Sequence, residues 1–215
     1  MLNQPLALTS VSKPTRDPAI RDVFAQGTTG PVTFFPADTV IYAQGEAAGP
    51  LYLVEFGAVR ICRVTADGRR QINSFHFAGE VFGFEAGAEH SSYAESIDGA
   101  GIRILRAAGT ETMAPKLLNI ALRGLTRMQE HLLLLGRMSA NERMVSFLID
   151  LMDRQDADDV VMLPMQRNDI ADYLGMTFET VSRVLRSLRD RGLIHVPSVD
   201  RVEILDADAL HDQLS

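Results

Sequence analysis

Four side chains late in the sequence have the types and spacing of a surface that reads base edges. Glu179, Ser182, Arg183 and Arg186 recur at i, i+3, i+4 and i+7, so a helix over about Phe178 to Arg189 places them on one face. A guanidinium on such a face can donate two hydrogen bonds to guanine O6 and N7, and a carboxylate can accept from cytosine N4. Phe178 and Thr180, at the N-terminal end, join Glu179, Ser182 and Arg183 as candidate base-reading residues. Arg167, Thr177, Arg186 and Arg189 are candidates for phosphate, a contact that adds affinity without sequence information. Arg191 fits a phosphate contact and a plain solvated face equally well. From Phe178 to Arg191, four arginines stand against two acids, Glu179 and Asp190, which leaves a local charge of +2.

The other reactive residue types are sparse. Of the five histidines (His76, His90, His131, His195 and His211), none has the i, i+4 spacing with a carboxylate that marks a helical zinc site. Cys62 is the only cysteine, which excludes an internal disulfide, a cysteine zinc site and a cysteine-ligated iron–sulfur cluster. Its place among alternating strand residues predicts a buried structural thiol. The chain has no Walker motif, no dinucleotide fingerprint and no G-x-S-x-G, so neither an enzyme nor a cofactor or metal site is expected.

The elements that must position the reading face form a helix-turn-helix from Arg167 to Arg186. Ala171 is small where two helices would cross, and Gly175 stands where the first must stop and turn. Ile170, Leu174, Met176, Val181 and Val184 supply a shared core, and Thr177 can cap the second helix. Leu193, Ile194 and Val196, then Val202 and Ile204, flank Pro197 to Asp200 as a hairpin wing. The tail, with Asp206, Asp208 and Asp212, is expected to point away from DNA.

Upstream, Ser139 and Glu142 spell a capping box that opens a helix with Met144, Phe147, Leu148 and Leu151 on its apolar face. Val160 to Leu163 reads as a short strand ended by Pro164. Before the capping box, Ala114, Leu118, Ala121, Leu125, Met128, Leu132 and Leu135 alternate at spacings of four and three. This seam suits either packing on its own domain or a two-stranded dimer interface. From Ala19 to Ala108, short β-prone runs are broken by glycine, with a hairpin turn at Asp67-Gly68. They predict a sandwich, jelly roll or small barrel.

The expected organisation is an arm (1–18), a β-roll (19–110), a dimerisation helix (111–138) and a winged helix-turn-helix domain (139–215). In class this is α+β. The 215 residues, 46% of them hydrophobic, suffice for a real core without staples. The net charge of −7 gives no whole-molecule reason to expect nucleic acid, yet it is concentrated in Asp153 to Asp159 and the tail, away from the basic helix. No secretory signal or membrane span is read, and a cytoplasmic location is expected.

Taken together, the sequence resembles the family of bacterial transcription regulators that includes the cyclic AMP receptor protein and the fumarate-nitrate reductase regulator. The match takes in Gly45-Glu46, Gly57, Gly79-Glu80 and the stretch from Met165 to Arg183. The run from Leu51 through Val59, the turn from Asp67 to Ile72 and Phe82-Gly83-Phe84-Glu85-Ala86-Gly87 are most similar to the FixK branch. So is the E-x-x-S-R pattern of Glu179, Ser182 and Arg183. The resemblance implies that the roll is a double-stranded β-helix like those that bind cyclic nucleotides. It also implies a homodimer that activates transcription from an inverted repeat of the TTGAT…ATCAA type. Glu179 and Arg183 would read a G·C pair, Ser182 would approach a thymine, and Phe178 stands where the cyclic AMP receptor has an arginine. It further implies contact with RNA polymerase through loops near Phe75 to Gly83, and targets in low-oxygen respiration or nitrogen fixation. The departures matter as much. Phe84 follows Gly83 where nucleotide-binding relatives carry a glutamate, and no arginine lies around His90, Ser91 and Ser92 to meet a phosphate. Residues 1–30 contain no cysteine for a cluster, and the DNA-binding half has none for a thiol switch. A regulator without cyclic AMP or an iron–sulfur cluster is therefore expected. The alternative is a sensor gated by haem, through His76 or His90, or by another small molecule in the roll.

Overall fold

The structure is a computed structural model that describes Ile20 and residues 28–65, 68–106 and 114–214. The expected arm, Asp67 of the expected hairpin turn and the boundary near residue 110 lie outside the described residues.

Eight strands build the roll: β1 (Thr28–Phe35), β2 (Val40–Tyr42), β3 (Leu51–Phe56), β4 (Ala58–Val64), β5 (Arg70–Phe77), β6 (Val81–Phe82), β7 (Tyr93–Ser96) and β8 (Ala100–Arg106). They form two antiparallel four-stranded sheets, ordered β1-β8-β3-β6 and β2-β7-β4-β5. Inward-facing Val54, Val59, Ala94, Ala100 and Ile102 fill the space between them. Beside them, Tyr42 stacks on His90 at 3.6 Å and Tyr52 on Phe82 at 5.1 Å. The β3–β4 turn depends on Gly57, whose φ is +80° and whose absent Cβ would sit 2.0 Å from the Gly99 carbonyl oxygen. Cys62 is buried in β4, and burial pushes its thiol up to about 11.

Helix α1 (Ala114–Arg137) follows, then α2 (Ala140–Gln155). The capping box forms: the Glu142 N–H donates to Ser139 Oγ at 3.3 Å, and the Ser139 N–H donates to the Glu142 carboxylate at 2.6 Å. The winged part continues as β9 (Val160–Met162), α3 (Arg167–Leu174), α4 (Phe178–Asp190), β10 (Ile194–Ser198), β11 (Arg201–Ile204), α5 (Ala207–His211) and a 3-10 turn (Asp212–Leu214). Its sheet is ordered β10-β11-β9. Roll and winged part do not have separate cores. Ala58, Cys62, Ile72, Phe75 and Phe77 of the roll belong to the same buried cluster as Phe147 and Leu148 of α2 and Leu174 of α3.

Candidate nucleic-acid interface

The helix-turn-helix corner is built by short-range chemistry. Gly175 ends α3 in the left-handed conformation (φ 61°, ψ 44°), where a side chain would be strained. Thr177 then caps α4, its Oγ1 accepting from the Thr180 N–H at 3.2 Å. Val181, Val184, Leu185 and Leu188 turn inward, while Ile170, Ala171 and Leu174 of α3 meet them in the same buried cluster.

That packing leaves the opposite face of α4 to solvent. Phe178, Glu179, Arg183 and Arg186 are exposed, and Thr180 and Ser182 are half-buried. Hydrogen bonds from its own backbone and the Thr177 hydroxyl, helped by Arg183, hold the Glu179 carboxyl below the usual range, so it is an acceptor at neutral pH. Arg183 Nη2 donates to Thr180 Oγ1 at 3.1 Å, and Arg167 Nη1 donates to Ser182 Oγ at 3.3 Å. Arg167 therefore lies beside the reading face from α3. Arg189 pairs with Asp190 at 2.7 Å and would have to exchange it for phosphate.

The seam of α1 divides. Leu118, Leu125, Met128 and Leu132 are exposed, together with Leu122 and Leu133, which lie off the predicted spacing. Ala121 is half-buried at the edge of a cavity, and Leu135 turns inward against the winged core. Ile120 and Leu134 are buried on the other side of the helix. The cavity encloses about 470 Å³ between the roll, α1, α2 and α3. Phe75, Phe82, Leu125, Met128, His131 and Tyr173 line it, and Glu85, Ser91 and Ser92 are its polar groups from the loop after Gly83. In the segment expected to touch RNA polymerase, Phe75, Phe77, Val81 and Phe82 are buried, while His76, Glu80 and Gly83 are half-buried. Among the described residues, no group of three or more His, Cys, Asp or Glu is placed to hold a metal ion. Nor, among them, is any helix long and apolar enough to cross a membrane.

Known proteins carry the same arrangement. A Crp-like helix-turn-helix domain matches residues 142–213, and a cyclic nucleotide-binding domain matches residues 32–97. The nitrogen fixation regulation protein FixK of Rhizobium meliloti (strain 1021) is 48% identical over 170 residues, covering 79% of this chain and 81% of that protein. The chain belongs to the CRP/FNR family, in its FixK-like branch. The FixK of Azorhizobium caulinodans is 38% identical over 206 residues, covering 90% of this chain and 83% of its own. The structure of FixK2 from Bradyrhizobium japonicum superposes with a TM-score of 0.80 at 37% identity, covering 86% of this chain and 96% of that one. This FixK-like chain is thus a transcription regulator with a DNA-binding helix-turn-helix. The α+β architecture of roll, helices and winged domain agrees with the sequence expectation.

Sequence reasoning missed the polar ties that hold this FixK-like protein's two halves together. Glu80, before β6, accepts from Arg154 of α2 at 2.7 and 3.0 Å. Arg60 and Arg70 of the roll pair with Asp169 of α3. These partners are separated by 74, 109 and 99 positions in the chain, so no local pattern marks them. The available signal is Arg60, an arginine flanked by Val59 and Ile61 in β4.

Proposed function

We propose that the protein is an activator that binds an inverted repeat of the TTGAT…ATCAA type as a homodimer, with no cyclic AMP or iron–sulfur cluster. Its genes would serve low-oxygen respiration or nitrogen fixation, a reading supported by the name that the FixK relatives carry. The observation that carries the proposal is the two-faced α4, with buried Val181, Val184, Leu185 and Leu188 behind exposed Glu179 and Arg183. Glu179, Ser182, Arg183, Phe178 and Thr180 would read bases. Arg167, Thr177, Arg186 and Arg189 would meet phosphate. The exposed run Leu118, Leu125, Met128 and Leu132, with Ala121 and Leu135 at its margins, is the surface a second copy would cover. RNA polymerase is the proposed further partner, with the loops near Phe75 to Gly83 as the surface that the family resemblance suggests.

A second reading, an effector-gated regulator, is favoured by the 470 Å³ cavity at the junction of roll, α1 and winged part. Gating would require the effector to bind one arrangement of these parts more tightly than another. Haem is the less suited effector, since His90 is buried against Tyr42 and His76 Nε2 is within hydrogen-bond distance of the Ser74 hydroxyl, at 3.1 Å. A binding assay with the purified, effector-free protein separates the readings. Specific binding to the inverted repeat supports the first, and binding only after an effector is added supports the second. Arg183→Ala should lose about 1–3 kcal/mol on the specific site while binding to random DNA survives. Equal losses on both DNAs would reduce Arg183 to a phosphate contact.

A further inference from the structure

We infer that Arg60, Arg70 and Arg143 are positioning residues that grip helix α3 at both ends and so set the angle of the reading helix relative to the rest of the chain. The inference rests on the proposed reading of an inverted repeat.

The first end of α3 is held from the roll. Asp169, in its first turn and 2% exposed, meets Arg60 Nη1 at 3.0 Å and Arg70 Nη2. Arg70 also donates to Asp172 at 2.9 and 3.0 Å, and Gln71 Nε2 donates to the Asp172 carbonyl at 2.8 Å. Arg60 is itself aimed by Asp38 at 2.9 Å and Glu95 at 2.8 Å. Burial alone would lower its pKa, but these carboxylates more than reverse that, and the guanidinium stays charged.

The other end is held from the junction of α1 and α2. Arg143 of α2 donates to four carbonyls: Met138 at 3.0 Å, Leu135 at 2.9 Å, Leu174 at 3.0 Å and Gly175 at 3.3 Å. Two belong to the end of α1 and its exit, and two to the end of α3. Helix ends leave such carbonyls without intrahelical donors and partly negative, so one planar cation can satisfy both. Because α4 is packed on α3 through the Gly175 turn, an angle fixed at α3 is passed to the reading face. A dimer must present two reading helices one DNA turn apart, about 34–36 Å, so that angle decides which half-site spacing fits. None of the three arginines is on the exposed face of α4.

The test uses Asp169→Asn and Arg143→Lys in the full-length protein, each checked by thermal unfolding so that either can decide the matter if the other does not fold. Affinity is measured for a single half-site and for inverted repeats with base pairs added or removed between the half-sites. Both variants should lose about tenfold at the best spacing, flatten the spacing preference, and keep half-site affinity within about twofold. Orientation is read separately by pulsed electron–electron distances between spin labels at Glu89→Cys and Val199→Cys within one chain, diluted with unlabelled protein. Cys62 is buried and should not label. The distance distribution should broaden in the variants. Distributions as narrow as the parent's, or equal losses on half-sites and full sites, would overturn the inference. If the parent protein shows no preference for an inverted repeat, the proposed function fails, and the distances still judge the grip.

Discussion

Glu80→Gln tests how strongly the roll is tied to the winged part. The Glu80 carboxylate accepts from Arg154 at 2.7 and 3.0 Å, from Arg127 at 3.2 Å and from the Phe77 N–H at 3.2 Å. Its side chain is 17% exposed and that of Arg154 is 10% exposed, so water screens the pair little. Burial would raise the Glu80 carboxyl, but Arg154 outweighs it and holds the group below its ordinary range. Orphaning one member of a buried pair costs about 3–5 kcal/mol. Here Arg154 keeps Asp150 at 3.0 Å and the Phe75 carbonyl at 2.6 Å, and glutamine still offers one oxygen. The expected loss is therefore smaller, about 2–3 kcal/mol. For a chain of this size it should lower the midpoint of thermal unfolding by about 5–10 °C. Urea titration at pH 7 gives the free energy directly. The double variant Glu80→Leu with Arg154→Met should recover most of the loss, because apolar replacement removes both desolvation costs. A loss below about 0.5 kcal/mol for Glu80→Gln, or a double variant as unstable as the two single ones added, would refute the reasoning.

Leu125→Asp should convert dimers to monomers in sedimentation, since the residue is 51% exposed in the single chain, within the exposed apolar run of α1; a persisting dimer would sink the seam reading. Gly57→Ala should cost about 3 kcal/mol or more by urea unfolding, because its φ of +80° and the Gly99 carbonyl both oppose a Cβ. Acid should weaken the fold in two steps. Burial lowers His76 from 6.5 to about 4, so the native state keeps it neutral while the unfolded chain takes up a proton. Stability is then complete above pH 6.5 and falls towards pH 4, by up to about 3 kcal/mol at 1.36 kcal/mol per pKa unit. Glu80, held below 4.5, adds a loss only as the pH drops under that value. His76→Gln should erase the upper step; an unchanged stability profile between pH 4 and 6.5 would contradict it.

The parts legible in the sequence are those whose physics is local. Ser139 and Glu142, three apart, announce the start of α2, and Gly175 with Thr177 announces the corner and the cap. The inward stripe of α4 is a period-3.6 pattern that Val181, Val184, Leu185 and Leu188 carry by themselves. The seam of α1 was only half legible. Its apolar residues run right round the helix, because roll and winged core take Ile120, Leu134 and Leu135 while Leu118, Leu125 and Leu132 stay outside. A spacing of threes and fours does not say which side is which. The ion pairs of Arg60, Arg70 and Arg154 were not legible, since a charge seeks its partner through space rather than along the chain.

The buried thiol of β4 has a chemical consequence of its own. With its pKa near 11, Cys62 is ionised in about one molecule in ten thousand at pH 7. Peroxide and disulfide reagents attack the thiolate, so this side chain reacts with them only on the rare occasions when the strand opens and releases it. Its modification rate therefore measures how often the roll breathes, and an agent that tightens or loosens the junction of roll and winged part would register there as a change in labelling speed.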